Sequence, residues 1–311
     1  MPKKGSNAFL AASNLAIAKN EISILTFLTA ASQTRSAAAP SNIVQIYKSH
    51  EDKHDIWFSF EKGGKSLSAL SFKLKGSFIK SERIYTVQKG EFIKHLFPSQ
   101  NISHFKHLIT QLLHALHFIH SNGVIHADVK PENILIEYTT QPSFCITSVK
   151  LIDFGSAFYA ANPSNVNSNT PEYLCPEFTQ VKKNVLSQLG KYPSCVDMWS
   201  LGVTLLELVV MCPVWMSYKA KVIINGKSAL GAGLFGFKGR DAKKIHHKQL
   251  EVVANLKSIV NKSIMSKYTA NDKDKFTDLL TKMLNINYKN RITPLDALKH
   301  PFLKPNSTKH C

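Results

Sequence analysis

The sequence predicts an α+β protein of two lobes, a small β-containing front and a larger, mainly helical back. Its 311 residues suit two lobes or one large domain, at roughly 150 residues per domain. Two short β-like runs, NIVQIYKS and HDIWFSFE, lie near the front and are joined by the polar turn HEDK. Beyond Asn101 apolar residues recur at helical spacing through most of the chain.

Each element has its own signal. Leu10, Leu15, Ile17, Ile22, Ile24 and Leu25 follow helical spacing, so residues 7–30 read as a helix ending near Ala31. Ser32–Ser41 is rich in Ala, Ser and Pro and reads as a loop. The two strands follow, and then residues 62–98, rich in Gly, Lys and Ser, read as irregular, with 65–100 as a surface insertion. Phe105, Leu108, Ile109, Leu112, Leu113, Leu116 and Ile119 mark one buried helical face, which Asn122-Gly123 terminates. The runs VIHA, ILIEY and SVKLIDF predict short strands. From Asp197 onward the remainder reads as helices over 197–212, about 247–265, 273–285 and 294–298.

Composition sets limits on function. Hydrophobic residues make up 44% and aromatics 10%, enough for a packed core and against wholesale disorder. Cys145, Cys175, Cys195, Cys212 and Cys311 form no CxxC and no metal-ligand spacing. An odd, scattered set predicts reduced thiols in an intracellular protein, cytoplasmic or nuclear. The longest apolar run, residues 201–216, contains Glu207 and falls short of the ~20 residues of a bilayer span. It predicts a buried helix. The 39 Lys+Arg against 21 Asp+Glu leave +18, a surface that favours acidic partners. No zinc-finger, RNA-recognition or basic-zipper pattern accompanies that charge.

The chemistry concentrates in HADVKPENILI, residues 126–136, and LIDFGSAF, residues 151–158. Asp128 precedes Lys130 by two residues and Asn133 by five, and Asp153-Phe154-Gly155 comes 20 residues after Asn133. A strand, a turn and a second strand between them form a hairpin that brings Asn133 and Asp153 to the same end. Hard oxygen ligands converging there suit Mg²⁺, which keeps waters and takes one or two carboxylates plus phosphate oxygens. Asp128 and Lys130, on the adjoining loop, reach a hydroxyl nucleophile and a phosphoryl group. Such an arrangement fits phosphoryl transfer, where positioning and charge neutralisation dominate.

Here the sequence resembles the eukaryotic protein kinases of serine/threonine type. The resemblance extends in order over residues 20–303. Thr170-Pro171-Glu172-Tyr173-Leu174-Cys175-Pro176-Glu177 is similar to the end of an activation segment, with Cys175 for the usual Ala. Asp197-Met198-Trp199-Ser200-Leu201-Gly202 resembles the start of the buried helix that anchors the catalytic loop. Asn290-Arg291-Ile292-Thr293 and His300-Pro301-Phe302-Leu303 resemble the close of the domain.

The resemblance implies a bilobal protein-kinase-like fold: a partial front lobe over 1–62, a back lobe over 63–303 and a short tail over 304–311. It implies ATP and Mg²⁺, and transfer of the γ-phosphate to a protein hydroxyl. Asp128 would orient the substrate hydroxyl, Lys130 would steady the γ-phosphoryl group, and Thr170 would hydrogen-bond both. Asn133 and Asp153 would hold metal, and Leu135 would pack beneath adenine. Phe60 would sit behind adenine, with Glu61 and Lys62 as hinge backbone. His126 would pack and hydrogen-bond the loop rather than react, Glu177 and Arg291 would form a buried ion pair, and Phe154 and Leu25 would stack in the core.

Two further departures bear on the chemistry. Only 20 residues precede Glu21, the acid that resembles the glutamate of the family's Lys–Glu pair. That leaves no room for a glycine-rich loop, so the resemblance implies a truncated front lobe and weakened nucleotide binding. Lys4, with Lys3 as its alternative, falls where the strand lysine belongs, whereas Lys19 reads as a solvated helix residue. Ala127 stands where the family carries Arg, which implies activity independent of phosphorylation on the segment bearing Ser156, Ser164, Ser168 and Thr170. The alternative function is a pseudokinase-like scaffold that binds an acidic partner.

Overall fold

The computed structural model describes residues 4–33, 42–52, 55–79, 82–99, 101–162, 170–179, 192, 194–216, 219–224, 227–235 and 242–304. The front opens on helix α1 (Lys4–Gln33) and the antiparallel pair β1 (Ile46–Glu51) and β2 (Ile56–Phe60). Ile24, Leu25 and Leu28 of α1 are fully buried. Lys19, on its outer face, pairs with Glu51 at 2.7 Å with both side chains about half exposed, the solvated role expected of it. The connection out of the front runs beside the back lobe: Val44 N–H donates to the Leu151 carbonyl and Leu151 N–H to that of Asn42.

The stretch expected to be irregular is ordered. It contains β3 (Lys65–Ser66), α2 (Leu67–Ser71), β4 (Phe72–Ile79), β5 (Glu82–Lys89) and α3 (Glu91–Leu96). Ser66 caps α2 by accepting the Ala69 N–H. The long helix α4 (Ser103–Ser121) buries the seven apolar residues of the expected face plus Ala115. It ends at Asn122-Gly123, where Gly123 takes φ 72°, a left-handed turn that glycine enters without steric cost.

Next come β6 (Val124–Ile125), β7 (Ile134–Thr139), β8 (Cys145–Leu151) and β9 (Phe158–Tyr159), then the short helix α5 (Pro176–Thr179). Strand β7 lies between β3 and β8, and β6 pairs with β9. Helix α6 (Ser194–Val210) is apolar on all sides, from Met198 and Trp199 to Leu208 and Val209, and is buried accordingly.

The expectation of helices alone after Asp197 fails next. Strands β10 (Lys219–Ile224) and β11 (Lys227–Gly231) form a hairpin, and β10 adds in parallel to β5, giving a four-stranded sheet in the order β11-β10-β5-β4. The pairing joins segments more than 120 residues apart, so no local sequence period marks it. Helices α7 (Ala242–Ala254), α8 (Leu256–Lys262), α9 (Ala270–Met283) and α10 (Pro294–Leu298) complete the back lobe. Phe105 packs edge to face on Phe276 and on Phe302 in its core. No helix is long and apolar enough to cross a membrane among the described residues.

Candidate active site

The site is built on the loop between β6 and a single 3₁₀ turn, Pro131–Asn133. Asp197, in the first turn of α6 and fully buried, holds that loop from below. Its Oδ2 accepts the His126 N–H at 2.9 Å and its Oδ1 the Ala127 N–H at 2.8 Å, and His120 Nε2 lies 2.8 Å from Oδ2. Burial alone would raise this carboxyl. The contacts from His120 and the His126 backbone outweigh it and hold Asp197 below the usual carboxylate range. Ala127 sits at φ 63°, a strained conformation for a residue with a Cβ, and the Asp197 bond fixes it there. His126 spends its ring on structure, with Nε2 2.9 Å from the Ile152 carbonyl and the ring edge-on to Phe154.

Asp128, Lys130, Asn133 and Thr170 meet. Lys130 Nζ donates to Asp128 Oδ2 at 2.6 Å and to Thr170 Oγ1 at 2.9 Å. Thr170 Oγ1 lies 3.3 Å from Asp128 Oδ1. The Asn133 amide nitrogen donates to the Asp128 carbonyl at 2.9 Å and to its Oδ2 at 3.1 Å, which leaves Oδ1 of Asn133 to accept. Across the hairpin Ile134 faces Leu151, and the Ile152 N–H donates to the Asn133 carbonyl at 2.9 Å. Asn133 and the Asp153 segment thus occupy one end of the β7–β8 pair, as the hairpin argument requires. Asp153 is solvent-exposed at φ 64°, and among the described residues its Oδ1 takes only a long bond, 3.4 Å, from the Gly155 N–H. Among the described residues no hydrogen bond engages the Asn133 amide oxygen, and an amide oxygen and an exposed carboxylate at one end of the hairpin fit Mg²⁺, a hard cation that retains waters.

Glu21 reaches this end from α1, accepting the Phe154 N–H at 3.1 Å. Burial, reinforced by the Asp153 charge, pushes its carboxyl above the ordinary value. The Lys4 expectation is corrected by the helix itself. Lys4 opens α1 rather than a strand, and 17 residues of continuous helix set it ~25 Å along the axis from Glu21. Lys3 lies outside the described residues.

Glu61 follows β2 directly. Its N–H donates to the Gln45 carbonyl, and its carboxylate accepts the Gln45 N–H and pairs with Lys150 at 2.8 Å. The Glu61 side chain is therefore spoken for by Gln45 and Lys150. Leu135 of β7 lies under Gly63: a Cβ there would come 2.2 Å from Leu135 Cδ1, and one on Gly64 would strike the Ile136 carbonyl. Sequence reasoning overlooked this need for glycine, although the Gly63-Gly64 pair was the available signal.

On the far side, Arg291 grips Glu177 with two bonds of 2.7 and 3.0 Å, donates to the Cys195 and Asn285 carbonyls, and stacks over Trp199. Both side chains are nearly inaccessible, which matches the expected ion pair. Phe154 and Leu25 are fully buried, as expected of core residues. Ser164 and Ser168 lie outside the described residues. A contact not foreseen links Tyr173, whose hydroxyl donates to Glu207 of α6, while the Val214 N–H donates to the same carboxyl oxygen at 3.1 Å. Burial raises Glu207 to about 8.

Residues 18–303 match the protein kinase domain family. The mitogen-activated protein kinase PMK1 of Pyricularia oryzae is 27% identical over 251 residues, 77% of this chain and 65% of its own. Probable serine/threonine-protein kinase 2 of Plasmodium falciparum is 26% identical over 275 residues, covering 86% and 45%. The mitogen-activated protein kinase 15 of Xenopus laevis is 27% identical over 275 residues, covering 84% and 39%. The chain thus spans between about two fifths and two thirds of these relatives' lengths. With a match that runs through the loop, the hairpin and the helix that anchors them, the chain belongs to the eukaryotic protein kinase family.

Proposed function

We propose that the chain is an ATP-dependent serine/threonine protein kinase that transfers the γ-phosphate of ATP to a protein hydroxyl. The observation that carries this reading is Lys130 Nζ bridging Asp128 Oδ2 at 2.6 Å and Thr170 Oγ1 at 2.9 Å. The ammonium sits between an acid able to take a hydroxyl proton and the hydroxyl that orients both. The substrate oxygen forms a bond to the γ-phosphorus as the bond from that phosphorus to the ADP oxygen breaks. Asp128 accepts the proton, and Lys130 offsets charge on the transferred phosphoryl oxygens. Asn133 Oδ1 and the Asp153 carboxylate would hold Mg²⁺, which supplies charge neutralisation on the phosphates. Adenine would rest on Leu135 and bond the chain at Glu61.

The basic composition supports a protein substrate with acidic character, and the scattered thiols support an intracellular setting. Ala127 in place of Arg supports activity without phosphate on the activation segment. A second reading, a scaffold without turnover, is favoured by Glu21, whose carboxylate faces Asp153 with no cation bonded to it among the described residues. The test is Mg²⁺-dependent transfer of labelled phosphate from ATP to casein and to histone, with Asp153→Ala as control. Transfer abolished by that substitution supports the kinase. No transfer and no Mg-ATP binding by folded protein supports the scaffold.

A further inference from the structure

The four-stranded sheet β4–β5–β10–β11 carries no residue of the candidate active site, and its two faces differ. Val87, Ala220 and Val222 are buried against the body of the back lobe. Strand residues alternate sides, so their neighbours face solvent. Across the register one solvent-side row reads Lys75, Thr86, Lys221, Leu230, and Lys73 stands opposite Gln88 on the same side. Lys73, Lys75 and Lys221 are exposed, as are Ile223 and Leu230, at 52% and 60%. Glu82 and Glu91, the carboxylates on and beside these strands, are held by Lys219 at 2.7 Å and by Lys94 at 2.8 Å. Among the described residues no hydrogen bond or ion pair engages Lys75 or Lys221.

We infer that this face docks an acidic, extended segment of a protein partner. Lys73 and Lys75 stand ~7 Å apart along one strand, the separation of same-side carboxylates in an extended peptide, and Lys221 lies ~10 Å away, two strands across. Thr86 and Gln88 offer hydrogen bonds within the lysine cluster, and Ile223 and Leu230 border it with apolar surface. The chemistry disfavours nucleic acid. Among the described residues of these strands no aromatic ring lies on this side to stack a base, since Tyr85 and Phe78 project from the other. Three lysines are also few beside the 6–10 phosphate contacts typical of duplex binders. Two aliphatic side chains without Trp or Phe make a weak membrane anchor. The inference rests on the reading that the partner is a protein, and it concerns binding alone.

The test is fluorescence anisotropy without nucleotide, using a labelled peptide of repeating Glu-Ser-Glu-Leu as probe. Single-stranded DNA and phosphatidylserine vesicles are run beside it. Lys75→Glu/Lys221→Glu is compared with Lys48→Glu/Lys257→Glu, which makes the same charge change at exposed sites on other faces. The first pair is expected to weaken peptide binding at least about tenfold and the control less than about twofold, with affinity falling as salt rises. Should charge reversal lower the melting temperature, Lys75→Ala/Lys221→Ala replaces it, with a loss of about threefold or more expected. Equal affinity in sheet and control variants overturns the inference. So does tighter binding of DNA or vesicles that the sheet substitutions abolish. Phosphate transfer measured in parallel separates the two readings, because the sheet variants leave Asp128, Asn133 and Asp153 untouched.

Discussion

Asp197→Asn tests whether α6 holds the catalytic loop through hydrogen bonds. The carboxylate accepts two backbone N–H groups, of His126 at 2.9 Å and Ala127 at 2.8 Å, and lies 2.8 Å from His120 Nε2. Asparagine keeps the shape but has one oxygen. Either flip turns an amide NH₂ toward a backbone N–H that then has no acceptor, at a cost of about 1–3 kcal/mol. The bond that remains loses its charge assistance, roughly halving its strength. Relief from burying a carboxylate offsets part of this. The contacts hold Asp197 below the ordinary carboxylate range despite its burial, so the net is a loss of about 2–4 kcal/mol. With a slope near 3 kcal/mol per molar urea, the unfolding midpoint followed by tryptophan fluorescence falls by about 1 M. Because the folded-state value is depressed, the wild-type advantage is full above the unfolded value, near pH 4, and fades as pH falls through the folded one. Hydrogen exchange at the His126 and Ala127 amides is expected to accelerate beyond the global change. A midpoint within about 0.2 M of wild type, or unchanged protection at those two amides, refutes the reasoning.

Two further outcomes follow from buried groups. Arg291→Met strands the Glu177 carboxylate and is expected to lower unfolding free energy by about 3–5 kcal/mol, while Glu177→Leu/Arg291→Met recovers part of that loss, as a double-mutant cycle by urea unfolding reads out. Glu207, raised by burial to about 8, keeps its proton in the fold where the unfolded chain has given it up. Stability therefore falls as pH rises from about 4.5 to about 8, by at most about 1.4 kcal/mol per pH unit from this group, and Glu207→Gln flattens that slope in unfolding measured across the range.

The legible parts of the molecule were those whose signals are local or tied to chemistry. One helical stripe, Phe105 to Ile119, gave α4, and the spacing from Asp128 to Asp153 gave a hairpin whose register then brought Asn133 beside the Asp153 segment. The accessory sheet was not read. FKLKGSF does alternate, but three of its solvent-side residues are Lys or Ser, Gly76 interrupts the apolar side, and the partner strand β10 comes from more than 120 residues away. Lys4 failed for another reason. Counting back from Glu21 presumes a strand and a loop between them, whereas Ala, Leu, Ile and Asn residues without a breaker through 7–30 continue one helix.

That helix also explains Gly155. The usual ground for a glycine in a tight segment is a left-handed backbone, yet the positive φ angles here belong to Asp153 and Ala127, residues with a Cβ, and not to Gly155. What Gly155 provides is space. A Cβ there would come 2.9 Å from Ile17 Cγ2 and 3.3 Å from Asp153 Oδ1. Its absence lets α1 bind both sides of the turn, with Glu21 accepting the Phe154 N–H and Asn20 donating to the Ala157 carbonyl at 2.8 Å. The Asp128 side chain, by contrast, is held by Lys130, Asn133 and Thr170 over the Asp197 anchor. A shift of α1 therefore acts first on the Phe154 N–H and the orientation of Asp153, and reaches Asp128 through the contact of Phe154 with His126, whose Nδ1 accepts the Asp128 N–H at 3.3 Å.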